Sequence, residues 1–304
     1  MISNKSQGLL AFPMPSIDDQ EGDHVPEFLP PVVDAHVHLF PDHIFNSIWK
    51  WFDQFGWPIR YKLTSSRAIE FLLSHGIEHL VALHYAHKPG IAREMNNYMA
   101  DICRSHPRVS GLATVLPGEK NAAEILREGF ELGLAGVKLH AHVQCFDVIG
   151  RDIRTVYETC AAFDKPLVMH ASREPKSPKY ACDPHVFCGA DKVEQVLNDY
   201  PELKLCIPHM GADEWEGFRR LHFEYDNLWL DTTMTLSEYL FPDYFPELHE
   251  MRADRIIFGT DYPNIPYAWD RELKRLSEMN LPEESLALIL GQNAKTLFSI
   301  QSQD

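Results

Sequence analysis

The chain has 304 residues, 45% of them hydrophobic, enough for one large α/β barrel or two small domains. It carries 28 Lys and Arg against 44 Asp and Glu, a net charge of −16, which repels phosphate backbones and anionic bilayers, so neither nucleic acid nor membrane is expected as a partner. No stretch approaches the ~18 apolar residues of a membrane helix, and the first residues lack the basic start and the apolar run of a secretory signal. The six cysteines are scattered without framework spacing and read as reduced thiols, so a cytoplasmic protein is expected.

Residues 1–30 are rich in Pro and acidic residues, show no period, and read as an arm that packs on the body or on a partner subunit; residues 31–304 read as one domain. Short apolar runs then alternate with amphipathic stretches, the pattern of βα units around a parallel sheet. Eight strands are expected, at 31–38, 78–85, 109–117, 133–141, 165–171, 203–210, 228–233 and 255–261. Between them lie helix-like stretches such as SSRAIEFLLSHG and DKVEQVLNDY, and further helices follow the last strand. Eight strand–helix units predict a (β/α)8 barrel, at roughly 32 residues per unit. Residues 41–63, aromatic and poorly periodic, read as an insertion after the first strand. They form either a cap or substrate wall over the barrel mouth, or a hydrophobic surface staple.

A barrel gathers function at the C-terminal ends of its strands. His36 and His38 in PVVDAHVHLF lie two apart on a strand and so share a face. Lys138, His140 and His142 end the fourth strand, His170 the fifth, His209 the sixth and Asp261 the eighth. One strand-end histidine is ordinarily a hydrogen-bonded core residue. Several imidazoles and a carboxylate converging on one mouth would cost several kcal/mol without a common partner. A divalent metal supplies that partner, because neutral imidazole and carboxylate are its ligands.

D-A-H-V-H, G-V-K-L-H, V-M-H-A, I-P-H-M-G, F-G-T-D-Y-P and L-G-Q-N-A-K-T-L-F, in this order from about residue 32 to 299, resemble the amidohydrolase superfamily. Within it they are similar to the branch of aminocarboxymuconate semialdehyde decarboxylase and related lactonases and hydrolases. The resemblance implies a distorted barrel with one catalytic divalent ion, zinc first and manganese second, and no second ion. It implies His36, His38, His170 and Asp261 as ligands, with Asp261 also handling a proton. It implies that His209 stays off the metal and works on water or substrate, and that Lys138 pairs with a substrate oxygen or a carboxylate.

The expected chemistry is hydrolysis of an amide, lactone or other ester of a small carboxylate-bearing molecule by a metal-activated water, with Asp261, His209 and Lys138 catalytic. Non-oxidative decarboxylation of an aromatic or dienoic acid is the alternative, and a non-catalytic metal-binding barrel a minor one. The basic loop HASREPKSPKY suggests Arg173 as a bidentate grip on a substrate carboxylate, or else a solvated loop. His84 and His140 are assigned to the same mouth, not to metal. Trp49, Trp51, Phe52 and Trp57 form either an aromatic wall or cap packing. Cys182, His185 and Cys188 lack a fourth zinc ligand and read as an ordinary loop. A homodimer is left open.

Overall fold

The computed structural model describes residues 18–239 and 246–301. All eight expected strands form: β1 Val33–His38, β2 His79–Leu83, β3 Val109–Gly111, β4 Val137–His140, β5 Leu167–His170, β6 Leu205–Ile207, β7 Leu228–Asp231 and β8 Ile256–Ile257. Every pairing is parallel, in two arcs ordered β1-β2-β3 and β4-β5-β6-β7-β8. Backbone hydrogen bonds join the arcs at both seams. At one seam Lys138 N donates to Ala113 O at 2.8 Å, and at the other Ala35 N donates to Phe258 O at 2.9 Å and His38 N to Tyr262 O at 2.7 Å. The ring so formed is the (β/α)8 barrel.

The helices are α1 Asp42–Phe55, α2 Ser65–Ser74, α3 Ala92–Ser105, α4 Ala122–Glu131, α5 Ala141–Gln144, α6 Arg151–Ala162, α7 Pro184–Phe187, α8 Ala190–Asp199, α9 Trp215–Glu224, α10 Arg271–Glu278, α11 Glu283–Ala287 and α12 Asn293–Leu297. None of them is long and apolar enough to cross a membrane. Inside the barrel, Val33, Ala35, Val81, Leu83, Leu112, Val168, Cys206 and Ile257 form one apolar layer, and Leu297 and Phe298 pack against it. Branched residues fill such an interior, because every strand contributes to it.

The strands are shorter than the apolar runs that encode them. The run ending in His209 pairs only over Leu205–Ile207, and the run ending in Asp261 only over Ile256–Ile257. The cause is local. His209 has φ 56° and Asp261 φ 68°, both left-handed, so the chain leaves the ladder at the functional residue. β1 is also irregular, with its register on β2 shifting between Asp34 and Val37, around His36. Gly259 permits a close approach here, since a Cβ on it would lie 2.6 Å from His36 Cβ.

Of the N-terminal arm, residues 1–17 lie outside the described residues. The described part rests on its own chain. Asp19 pairs with the buried Arg271 at 3.0 Å, Gly22 N donates to Asp270 Oδ2 at 2.9 Å, and Val25 N donates to His75 O at 2.7 Å. Within the insertion α1 forms, and its Ile44, Phe45, Ile48, Trp49, Trp51, Phe52 and Phe55 share one broad apolar face at helical spacing. Phe45 is buried against Phe40 and Met95 with Trp49 stacked on it, while Ile44, Ile48, Trp51 and Phe52 line a cavity at the barrel mouth.

Candidate metal centre and active site

Three buried side chains meet at the junction of β1 and the segment after β8. His38 Nε2 lies 2.9 Å and His36 Nε2 3.6 Å from Asp261 Oδ1. One ligand atom from each falls within 4.8 Å of the others. Burial, and after it the charge of Lys138, drives the His36 pKa down to about 3, and burial also lowers that of His38. Both rings are therefore neutral at physiological pH, the state in which imidazole ligates a metal. Burial alone would raise the Asp261 carboxyl, but the hydrogen bond to His38 and the neighbouring His38, His36 and His209 rings together outweigh it and hold the group below the usual carboxylate range. Asp261 is thus an anion beside two neutral donors.

The surroundings fix this trio. Asp231, at the end of β7, holds His36 Nδ1 at 2.7 Å through Oδ2. Its Oδ1 accepts from the backbone N–H groups of His209, at 2.9 Å, and Thr233, at 3.1 Å. One carboxylate therefore orients a ring of the trio and anchors the left-handed turn that carries His209. Asp34 accepts from Thr260 Oγ1 at 2.6 Å and from the backbone N–H of His36 and Thr260, tying β1 to the segment after β8. Sequence reasoning missed both residues. Their signal was present, because each is an acid inside an apolar strand run, as Asp261 is.

His170, 4% exposed, stacks face to face on His140 at 4.3 Å between ring centroids and meets His142 edge-on at 4.5 Å and His209 at 5.0 Å. It stands outside the tight trio but lines the same chamber, and its Nε2 is buried without a hydrogen-bond partner. His209 donates Nδ1–H to Thr233 O at 2.9 Å, and its ring lines the chamber. Lys138, 1% exposed, places Nζ 3.4 Å from His36 Nε2, and burial lowers its pKa to about 8 against the opposing pull of Asp231 and Asp261. His140 also lines the chamber. Its backbone N–H is held by Gln144, which latches β4 to Ala86 O and Val115 O at 2.9 Å each.

These residues fit a divalent ion. The trio offers two neutral imidazoles and one carboxylate, and His170 Nε2 is an orphaned buried nitrogen facing the same space. Among the described residues no other group of three or more His, Cys, Asp or Glu is arranged to hold a metal. Cys182, His185 and Cys188 therefore form no zinc site. His185 pairs with Glu174 at 2.8 Å, and Cys188 is buried.

Two further expectations need correction. Arg173 does not reach the chamber. Its guanidinium pairs with Asp191 at 3.0 Å and with Glu214 at 3.2 Å, and Glu214 also accepts from its backbone N–H. In so acidic a chain a basic loop finds carboxylates on its neighbouring elements before it finds a ligand. His84 is fully buried, faces neither the chamber nor the cavity at the mouth, and is driven down to about 3 by burial, as a core histidine would be.

The trio stands in a small inner chamber of 60 Å³. Outside it lies a vestibule of 380 Å³, and Phe52, Tyr85, His140 and Tyr180 border both spaces. Trp51 of α1 stacks on Tyr180 of the loop after β5 at 5.7 Å, so the insertion closes one side of the mouth as a wall.

A parallel barrel with two histidines on its first strand and an aspartate after its eighth defines a metal-binding enzyme scaffold. The amidohydrolase family model matches residues 33–300, and the chain belongs to that family. It is 24% identical over 329 aligned positions to the decarboxylase orsB of Emericella nidulans, which covers 89% of this chain and 98% of the relative. It is 26% identical over 309 positions to a gamma-resorcylate decarboxylase of a Polaromonas species, covering 80% and 91%. Its fold is similar to that of a dihydroxybenzoic acid decarboxylase from Polaromonas solved with manganese and the inhibitor 2-nitroresorcinol, with a TM-score of 0.65 at 18% identity over 90% of this chain and 98% of that one. Both curated relatives are decarboxylases, and this overturns the expectation of a hydrolase. The shared metal site misled it, because activating a water and steadying a departing carboxylate call for similar ligands.

Proposed function

We propose that this protein is a metal-dependent, non-oxidative decarboxylase of a hydroxylated aromatic carboxylic acid. The reading is supported above all by one coincidence: relatives that act as decarboxylases align over most of the chain, and the buried trio His36, His38 and Asp261 fits the divalent ion such chemistry uses. Manganese, bound by a structural relative, and zinc both suit this donor set. When bound, the ion supplies positive charge that stabilises negative charge on substrate oxygens.

The residues divide the work as follows. His36, His38 and Asp261 hold the ion, and His170, whose unpartnered Nε2 lies in the same chamber, is the fourth ligand. The ammonium of Lys138 pairs with a substrate oxygen in a chamber where burial strengthens that attraction. His209 Nε2 accepts a hydrogen bond from a ring hydroxyl and orients it. The Asp261 carboxylate accepts the proton of the hydroxyl adjacent to the substrate carboxylate, a different hydroxyl from the one His209 orients, and returns it to the ring carbon bearing the carboxylate. The carbon–carbon bond then breaks, its electron pair restores the aromatic ring, and CO₂ leaves. One proton taken up from solvent closes the balance, so each turnover consumes a proton.

The test is CO₂ release from a panel of mono- and dihydroxybenzoates by metal-loaded protein. In D₂O the phenolic product is expected to carry one deuterium at the carbon that lost the carboxylate. Absence of CO₂ from every acid of the panel, with about one equivalent of metal bound, would overturn the reading.

A further inference from the structure

The proton-handling and ligating groups crowd the inner chamber, and the larger vestibule contains none of the metal trio. A volume of 380 Å³ falls within the range of small-molecule sites, about 300–1,000 Å³. The face that α1 turns to it carries Ile44, Ser47, Ile48, Trp51 and Phe52, one helical stripe at i, i+3, i+4, i+7 and i+8. Globular helices bury one apolar stripe. α1 has one broad apolar face, on which Phe45 at one edge is buried against the body while this stripe at the other edge lines the cavity.

Its chemistry is selective. Among the described lining residues none is acidic, although the chain carries a net charge of −16, so an anionic acid meets no repelling carboxylate on this wall. Lys179, the lining cation, lies 4.8 Å over the Phe55 ring. A ring whose carboxylate reaches the trio has its far side toward Phe52, Tyr85 and Tyr180, where the two spaces meet. We propose that the vestibule binds an apolar alkyl or aryl substituent of the substrate, so that the preferred acid is a hydroxybenzoate extended on the side away from its carboxylate. The identity of the acid rests on the decarboxylase reading, whereas the apolar subsite rests on the cavity.

Binding of 4-alkylbenzoates, from methyl to butyl, to the metal-loaded full chain tests the subsite by titration calorimetry. Kd is expected to fall about three- to fourfold for each added methylene that enters the vestibule. A Kd that does not change along the series would overturn the proposal. Ser47→Phe, on the exposed side of α1, fills the space without touching the core, and it is expected to abolish the dependence on chain length while thermal unfolding stays near that of the parent. A folded variant with an unchanged dependence would also overturn the proposal. CO₂ release from 2-hydroxybenzoates with the same alkyl substituents separates the two readings. Tightening with chain length but no CO₂ removes the decarboxylase and keeps the subsite. CO₂ formed without any benefit from the substituent removes the subsite and keeps the decarboxylase.

Discussion

The floor and the wall of the mouth are built on different principles. The floor is made of strand ends. His36, His38, Lys138, His170 and Asp261 are each 8% exposed or less, and each is held by backbone geometry or by a buried acid such as Asp231. The wall is made of α1 and the loop after β5, where side chains are half-exposed and hold one another by ring contacts, Trp51 on Tyr180 for example. Two cations show the contrast. Lys138 sits on a strand and can only point into the barrel, whereas Arg173 sits on a loop and turns to Asp191 and Glu214. A strand fixes where a residue points; a loop residue follows the local charge.

The contrast is broken or sharpened by four substitutions. The largest effect is expected on the floor. Asp261→Asn keeps a residue that tolerates the left-handed backbone but removes the proton acceptor and an anionic ligand, and CO₂ release should fall by about 10²- to 10⁴-fold with thermal stability nearly intact. A near-parental rate would mean the proton is handled elsewhere. Asp231→Asn acts one step back, through the orientation of His36. Metal affinity measured by chelator competition should weaken about 10- to 100-fold, and an unchanged affinity would show the trio to be held without it.

A buried histidine far from the mouth serves as a control. His222 on α9 holds Arg252 O through Nε2, and its pKa is lowered to about 4, chiefly by burial. The fold binds its neutral form. That stability is whole above pH 6.5 and is lost as pH falls toward 4, at up to about 1.4 kcal/mol per pH unit. In denaturant titrations His222→Gln should lose stability less steeply across that window; an equal slope would mean the ring is not buried neutral. The smallest effect is expected from the loop. Arg173→Ala should change KM for any hydroxybenzoate by less than about threefold, the scale of an exposed ion pair. A large rise confined to carboxylate substrates would return Arg173 to the site.

Much of this was legible in the residues. The eight runs, their spacing and the polar strand ends were enough for the barrel and for the convergence of His36, His38, His170 and Asp261 on one mouth. Asp231 and Asp34 were missed although they carry the same mark, an acid closing or opening an apolar run. The aromatic insertion was left between wall and staple, because one broad apolar face does both, burying Phe45 and lining the cavity with Ile44, Ile48, Trp51 and Phe52. Arg173 was misjudged because proximity to His170 in the chain says nothing about Glu214, 41 residues away. The chemistry was misjudged because ligand identity specifies a metal and not the bond it helps to break.

The sequence by itself determined the elements and the direction of the side chains that stay on the strands, His36, His38, Lys138 and His170, because periodicity and parallel closure leave those residues one way to point. Only the tertiary structure decided which neutral ring meets which carboxylate, how the chain turns left-handed at His209 and Asp261, and which face of α1 stays open to a ligand. Those outcomes depend on distances between segments far apart in the chain, and on the competition for carboxylates across an acidic surface, neither of which a local pattern encodes.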